Sequence, residues 1–499
     1  MSEQPAGPSI LKERLPWLVL IAGMLAFAVT LTVLSRFKAL GLMPEWPLDL
    51  SFFHDLVWNV THGYGYRQSA TYHEPAGVFN ETHFEPILLL AVPPYAVLPG
   101  LTTLFAVQAS LLALGAVGVY RLARSGGVSA WGAAGAGLVF LSWWPLWRMA
   151  LADVRPLTWS IPFLLLCAAS LREGRQWQTL LWGVLACMCR EEVPLILVGL
   201  GATAWLWRAP PTSGDARQRR MLGVRLAAAS LVFLFAANAM RSNVTFYIRP
   251  GEWIDRFLSG DSSDQLEAWG REPAQMLQTR VRFLLEWAVP AGFGALLAPE
   301  LLIGAVPLFA YLFSQSHEWA SWEGPYIHHS APAVALVAAA AALGWSRAVA
   351  RLPAGRVRFL GGAALLAILL VGHHHLLRDY HERVTLAEIE PWTQQQDRVV
   401  ELYRLADQVP ADAAVMSDYG TVHVFSGRHD VYSYQQEEIE HPRPPDGVRF
   451  VDPLLPPAQV QPTWALIHID HPDWAARCRA AGLREVDRGV EWILFGPRP

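Results

Sequence analysis

Long apolar runs alternate with short arginine-rich segments along most of this chain, and that alternation constrains its fold more than any other feature. A run of about 20 apolar residues makes a helix long enough to cross a bilayer. Within hydrocarbon only helices and closed barrels satisfy their own backbone hydrogen bonds. Plausible crossings are roughly 16–36, 101–122, 129–147, 157–171, 178–188, 193–207, 222–241, 283–298, 301–314, 330–346 and 357–376, about eleven in all. Basic residues gather at Arg121 and Arg124, Arg172 and Arg175, Arg208 with Arg217, Arg219 and Arg220, and Arg347, Arg351, Arg356 and Arg358. An excess of Lys and Arg marks cytoplasmic loops. The intervening segments 37–85, 148–156, 242–281 and 314–328 mix Asp, Glu, His and Trp, which puts them on the opposite, periplasmic side.

The expected fold is therefore mainly α: a polytopic transmembrane helical bundle over 1–379 with a large first outer loop at 37–85, then a small soluble α/β domain over 380–499. The first run follows Lys12 and Arg14 without a convincing cleavage site, which suits an uncleaved first helix with a cytoplasmic N-terminus. An odd number of spans leaves the C-terminal domain outside the cytoplasmic (inner) membrane. The pieces 178–188 and 193–207 are short for spanning helices and suit a half-depth hairpin joined by Arg190-Glu191-Glu192. Pro86 to Leu98, broken by Pro93-Pro94, suits a re-entrant or interfacial helix. Beyond residue 380, 394–408 has the pattern of an amphipathic helix. Ala413–Met416, Trp464–Ile469 and Glu491–Phe495 have that of short strands, and Asp470 to Ala481 that of a helix between two of them. Asp418, His423, Asp470 and His471 fit solvated surface there and receive no role.

Composition narrows the function. With 53% hydrophobic and 16% charged residues, the chain is too apolar for a set of soluble domains. Its net charge of −4 comes with no basic arm, so nucleic acid is not an expected partner. The four cysteines lie mostly in apolar runs, and Cys187-Met188-Cys189 lacks the spacing and the second pair of a zinc site.

Ionisable residues at the outer ends of the apolar runs are the candidates for chemistry. Asp49 and His54 lie in the first outer loop. Asp49 suits either a helix cap or a catalytic carboxylate. The same loop ends in His83-Phe84-Glu85-Pro86, where an imidazole and a carboxylate could meet a metal, an anion or a sugar hydroxyl. Asp153 and Arg155 occupy a short outer turn, and Arg190 and Glu191 interrupt an apolar stretch. Charges at such depth face a cavity or the protein interior, as functional groups or as an internal ion pair locking helices together. His328 lies in a third outer cluster, after His317-Glu318, which also suits an interfacial belt. His373-His374-His375, at the end of the last run, suits snorkelling into headgroups.

The order of these motifs resembles the polytopic prokaryotic membrane family catalogued as domain of unknown function 2079, over roughly residues 20–475. Asp49, Leu50, Phe53, Trp58 and Asn59 match its D-L-x-x-F-D-Q-x-x-W-N pattern, and His83, Phe84 and Pro86 its H-F-S-P. Asp153 and Pro156 match a D-x-H-P-E turn, Glu191 lies in a K-E-D-like segment, and Tyr326 to Pro332 resembles H-Y-x-x-x-x-P. This chain departs from the pattern at His54, Asp55, Glu85, Arg155 and Leu157. The family's layout is similar to GT-C membrane glycosyltransferases, in which an acidic residue of the first outer loop sits beside a lipid-linked donor. The resemblance implies transfer of a sugar from a polyprenyl-phosphate carrier, with Asp49 as general base and Arg155 and Arg190 on the leaving phosphate. His54, His83, Glu85, Asp153, Glu191 and His328 are the remaining candidate substrate contacts. A divalent ion is an open expectation, and membrane lipids are partners in any case. The alternative is a transporter or a lipid-binding scaffold that uses the same charges as a path or an anchor.

Overall fold

The computed structural model describes residues 10–41, 47–67, 69, 83–207, 216–240, 291–306, 330–380, 396–434 and 462–498. Apolar composition makes most of these segments helical. Among the described residues, four helices are long and apolar enough to cross a membrane: Arg14–Leu40, Leu101–Ser125, Ala216–Ala237 and Ala331–Ala350. They fall within α1 (Ile10–Leu40), α4 (Leu101–Ser125), α10 (Ala216–Met240) and α11 (Ala331–Ala350). Between them run shorter helices: α2 (Pro47–Thr61), α3 (Val92–Val97), α5 (Ala130–Leu141), α6 (Trp144–Leu151), α7 (Ser160–Glu173), α8 (Gln176–Cys187) and α9 (Val193–Leu206). α12 (Arg356–Tyr380) follows α11.

The run expected as one crossing at 129–147 is two helices, because the chain breaks between Leu141 and Trp144 and Pro145 begins a new turn. The described part of 283–314 folds as 3₁₀ turns, Gly294–Leu297 and Pro299–Ala305, instead of as regular spanning helix. Pro86 to Leu98 is likewise a 3₁₀ turn, Pro86–Ala91, running into the six-residue α3.

Short helices bring the two ends of the bundle within reach of one another. α7 has 14 residues and α8 has 12, so each is roughly 20 Å long. At their Arg-rich end, Arg121 reaches Glu173 at 2.7 Å, Arg172 donates to the Ser125 hydroxyl at 2.8 Å, and Arg347 meets Glu300 at 2.6 Å. These pairs tie α4, α7, α11 and the Pro299–Ala305 turn together at one level. α9 and α10 meet at a point where side chains are excluded: a Cβ on Gly201 would lie 2.5 Å from the Gly223 carbonyl oxygen. Backbones that approach this closely need small residues.

The C-terminal unit is a mixed five-stranded sheet of order β2-β1-β3-β5-β4, with β1 Val415–Asp418, β2 Val431–Tyr434, β3 Trp464–His468, β4 Arg484–Arg488 and β5 Trp492–Gly496. β1 pairs in parallel with β2 and β3, and β5 pairs antiparallel with β3 and β4. α13 (Gln396–Ala406) and α14 (Pro472–Ala480) accompany the sheet. Leu402 and Leu405 of α13 join Val415, Leu466 and Leu494 in one apolar core, while Trp474 and Cys478 of α14 join Tyr434, Ile467 and Phe495 in another. β2 and β4 lie outside the expected strands. β4 has exposed charged residues along most of its length, so it carries little of the apolar signal that marks a strand in sequence.

Candidate functional site

The turn between α6 and α7 builds the first half of the site. Asp153 is buried and has φ of 65°, a left-handed conformation uncommon for a non-glycine residue. Gln108, a buried amide in a mostly apolar stretch of α4, holds that turn. Its Nε2 donates to the carbonyls of Ala150 at 3.1 Å and Asp153 at 2.5 Å, and its Oε1 accepts the Arg155 N–H at 2.8 Å and the Trp159 indole N–H at 3.2 Å. Thr158 Oγ1 closes the turn by donating to the Arg155 carbonyl at 2.7 Å. So pinned, the Arg155 guanidinium pairs through Nη1 with Asp49 Oδ2 in the first turn of α2. The arginine side chain is 6% exposed and the aspartate 38%, so this pair opens toward solvent on the carboxylate side.

The second half comes from the α8–α9 turn meeting the segment before Pro86. Arg190 Nη2 donates to His83 Nε2, and His83 Nδ1 lies 2.8 Å from Glu191 Oε1. A guanidinium has no acceptor, so Nε2 must be the bare nitrogen and Nδ1 carries the hydrogen that Glu191 receives. The other oxygen of Glu191 accepts the Phe84 N–H at 2.9 Å. Arg190 Nε also reaches Glu192 Oε2 at 3.2 Å. The Met188 carbonyl accepts the Ile87 N–H at 3.0 Å, which ties the α8 end to the 3₁₀ turn.

Glu85 connects the halves. Its side chain is buried, and burial pushes its carboxyl up to about 8; Arg190 and Arg155 both pull it back down, while Glu191 and Glu192 push it further up. Its carboxyl thus senses the arginines of both clusters. Glu192 is raised for the same leading reason, loss of water, with Arg190 opposing. The Tyr66 hydroxyl donates to the Glu85 carbonyl at 2.9 Å, so the first long loop also fixes this strand of the site.

Asp49, His83, Glu85, Asp153, Arg155, Arg190 and Glu191 are thus brought to one end of the bundle, opposite the Arg121–Glu173 and Arg347–Glu300 pairs. His54 is not among them. It lies between α3 and the C-terminal unit, with Nδ1 2.7 Å from Ser426 Oγ of that unit and Nε2 2.7 Å from the Tyr95 hydroxyl of α3. Five residues on from Asp49, the side chain leaves on a different helical face. His328 lies outside the described residues. Gln108, Glu192 and Tyr66 are additional to the candidates taken from sequence. Gln108 carries a sequence signal, since a lone amide amid apolar residues in a spanning helix faces the protein interior. Tyr66 carries none.

Two of the polar residues expected on solvated surface are buried. His423 donates through Nε2 to the Ala39 carbonyl at the end of α1 at 3.0 Å, and Asp418 accepts the Thr421 N–H at 3.0 Å and the Trp492 indole at 3.3 Å. Both serve to seat the C-terminal unit and its 3₁₀ turn Val422–Phe425. Among the described residues no three His, Cys, Asp or Glu side chains form a group suited to a metal ion. The cations the site does hold are guanidinium groups, which are suited to bidentate recognition of phosphate.

The family model of a predicted membrane protein, DUF2079, matches residues 46–446. No curated protein sequence matches the chain. Among solved structures, ArnT from Cupriavidus metallidurans bound to undecaprenyl phosphate superposes with a TM-score of 0.50 at 13% identity, covering 96% of this chain and 97% of that one. The apo state of the same protein gives 0.43 at 12% identity over 89% and 92%. The fold is ArnT-like.

Proposed function

The chain belongs to the DUF2079 family of predicted membrane proteins, and from that membership and its fold we propose that it is a GT-C-type glycosyltransferase. It moves a sugar from a polyprenyl-phosphate carrier to an acceptor hydroxyl at the outer face of the cytoplasmic membrane. The observation that carries this reading is the ion pair between Asp49 of α2 and Arg155, a half-exposed carboxylate beside a buried guanidinium.

The chemistry needs a base and a cationic cradle. The acceptor oxygen attacks the anomeric carbon, the bond from that carbon to the phosphate oxygen breaks, and the hydroxyl proton passes to Asp49. The leaving polyprenyl phosphate gains a negative charge in this step, and groups aimed at charge that develops in the transition state give the largest stabilisation. Arg155 and Arg190 are those groups. Donor phosphate entering beside Arg155 competes for the guanidinium and leaves Asp49 to the acceptor. His83, held in one tautomer by Arg190 and Glu191, and Glu85, kept largely protonated near neutral pH, supply hydrogen bonds that orient the sugar.

Mass spectrometry of lipids extracted from the purified protein tests the donor class. The expected result is a phosphoprenyl lipid, whose sugar-bearing form is then supplied to assay transfer. Absence of any phosphoprenyl lipid overturns the donor assignment. Retained lipid with no transfer to any hydroxyl acceptor overturns the enzyme reading in favour of a lipid-binding scaffold.

A further inference from the structure

α11 begins beside the turn that carries Arg155. Its far end is fixed at the Arg-rich end of the bundle, where a Cβ on Gly126 would lie 2.5 Å from Ser346 Cβ and Arg347 meets Glu300 at 2.6 Å. From there α11 runs alongside α4 and α7, and Ser330 lies roughly 24 Å back along the helix from Ser346. α7 is itself roughly 20 Å long from its Arg-rich end, so Ser330 reaches the level at which α7 starts. α11 also packs against the Pro156–Trp159 turn, which follows Arg155 directly.

Ser330 immediately precedes α11 and is fully buried. Among the described residues its hydroxyl has no hydrogen-bond partner. It does not cap its own helix: φ of −83° and ψ of −8° are helical values, whereas a capping serine is extended and turns its oxygen onto the first free N–H groups. Nor does it bond back to a carbonyl of the preceding turn, as Ser346 does to Ala342 at 2.6 Å and Ser160 to Leu157 at 2.6 Å. A buried donor without an acceptor is destabilising, and this one stands at the positive end of a 20-residue helix dipole. Hydroxyl and dipole together suit an anion, and burial strengthens both effects because little water screens them.

We propose that the start of α11, with the Ser330 hydroxyl as donor, holds the phosphate of the polyprenyl carrier together with Arg155. Helix N-termini bind phosphate readily. The proposal rests on the transferase reading and adds to its two guanidinium groups a neutral donor and a fixed dipole. As the bond from the anomeric carbon to the phosphate oxygen breaks, the electron pair stays on that oxygen and the phosphate gains a negative charge. The dipole and the hydroxyl stabilise that charge without changing their own protonation.

Its test uses the full chain, purified in mild detergent and stripped of lipid. A polyprenyl phosphate, the matching polyprenol or inorganic phosphate is added back; retained lipid is counted by native mass spectrometry, and the unfolding temperature is recorded with and without each. Wild type should retain the polyprenyl phosphate in preference to the polyprenol. Ser330→Ala should weaken that retention about tenfold, the loss of one hydrogen bond to a charged group. The same variant without ligand should unfold at the wild-type temperature or above it, because alanine removes an orphaned hydroxyl and favours helix. Ser330→Thr, which keeps the hydroxyl, should keep most of the retention, and Ser346→Ala, at the far end of the same helix, should leave it unchanged. Undiminished retention in Ser330→Ala, a lower ligand-free unfolding temperature in that variant, or stabilisation by inorganic phosphate as large as by the polyprenyl phosphate would each overturn the proposal and leave the transferase reading standing. A wild type that retains no polyprenyl phosphate would remove that reading, and this proposal with it.

Discussion

Asp49 and Arg155 stand 106 positions apart in the chain and meet in one ion pair. What makes the meeting reproducible is Gln108, whose amide satisfies both the Asp153 carbonyl and the Arg155 N–H. Gln108→Leu keeps the volume but strands buried backbone groups at about 1–3 kcal/mol each. Thermal unfolding in detergent should fall accordingly, and turnover should fall with it as Arg155 loses its seat. An unchanged unfolding temperature would mean that the turn holds itself. Asp49→Asn preserves size but removes basicity, so a folded variant should bind donor and lose on the order of 10²–10⁴-fold in turnover. Arg155→Ala should instead weaken donor binding first, since it removes charge-assisted donors from the phosphate. A binding assay beside a rate assay separates these two kinds of loss, and full turnover by the Asp49→Asn variant in that pair of assays would remove Asp49 from the role of base.

At the scale of elements, α2 is shared. One face offers Asp49 to the site and the other is clasped by the loop after the Val422–Phe425 turn of the C-terminal unit. Ser426 Oγ donates to the His423 carbonyl at 2.6 Å, so it must accept from His54 Nδ1–H, and His54 Nε2 in turn accepts the Tyr95 hydroxyl proton. Asp55 accepts the Gly427 N–H at 2.9 Å, Arg67 pairs with Asp430 at 3.1 Å, and Ser69 Oγ accepts the Val431 N–H at 2.8 Å. Burial lowers His54 to about 3 from an unfolded value of 6.5. A histidine lowered on folding binds more protons unfolded, so this clasp is fully stable above about 6.5 and weakens as pH falls from there toward 3. Burial raises Asp55 well above the usual carboxylate range, which acts the other way and favours the clasp at low pH. Amide exchange of residues 422–434, corrected for the intrinsic pH dependence of exchange, therefore carries two opposed contributions between pH 7 and 5, and His54→Gln should remove the one that speeds exchange on acidification, leaving a profile less accelerated by acid than that of the wild type. Identical pH profiles would assign the clasp's titration elsewhere. Gly427 has a φ of 84°, and a Cβ there would lie 2.6 Å from His54 Cε1. Gly427→Ala should thus loosen the clasp by about 1–3 kcal/mol, seen as faster exchange in the same residues and a lower turnover through displaced α2.

For the whole molecule, the Arg-rich pairs and the Asp49–Arg155 site lie at opposite ends of α4 and α7. From the excess of positive charge in cytoplasmic loops, we propose that the Arg-rich end faces the cytoplasm and that both the site and the C-terminal sheet face outward. A C-terminal alkaline phosphatase fusion should then be active and a cytoplasmic reporter at the same position silent. The reverse pattern would invert the topology and move the proposed reaction to the cytoplasmic face. Outward placement also suits the clasp, because the sheet unit rests on α2 and the end of α1 through His423 and Ala39.

The sequence by itself determined that the chain is a mainly helical membrane protein with a small C-terminal sheet, because apolar content and its periodicity act locally and need no partner to be read. It also singled out Asp49, His83, Arg155, Arg190 and Glu191, because ionisable groups at the ends of apolar runs are too costly to be placed there idly. Only the tertiary structure decided that Asp49 pairs with Arg155, that the buried Glu85 senses both arginines, and that His54 serves the C-terminal unit instead of the site. Those outcomes depend on which helix face meets which turn across more than a hundred residues, and neither hydropathy nor spacing carries that information. The same holds for the breaks at 141–144 and in the 3₁₀ turns of 294–305. At the first, the Trp147 indole donates to the Leu141 carbonyl at 2.7 Å, a bond from beyond the break that the apolar pattern of the run does not announce.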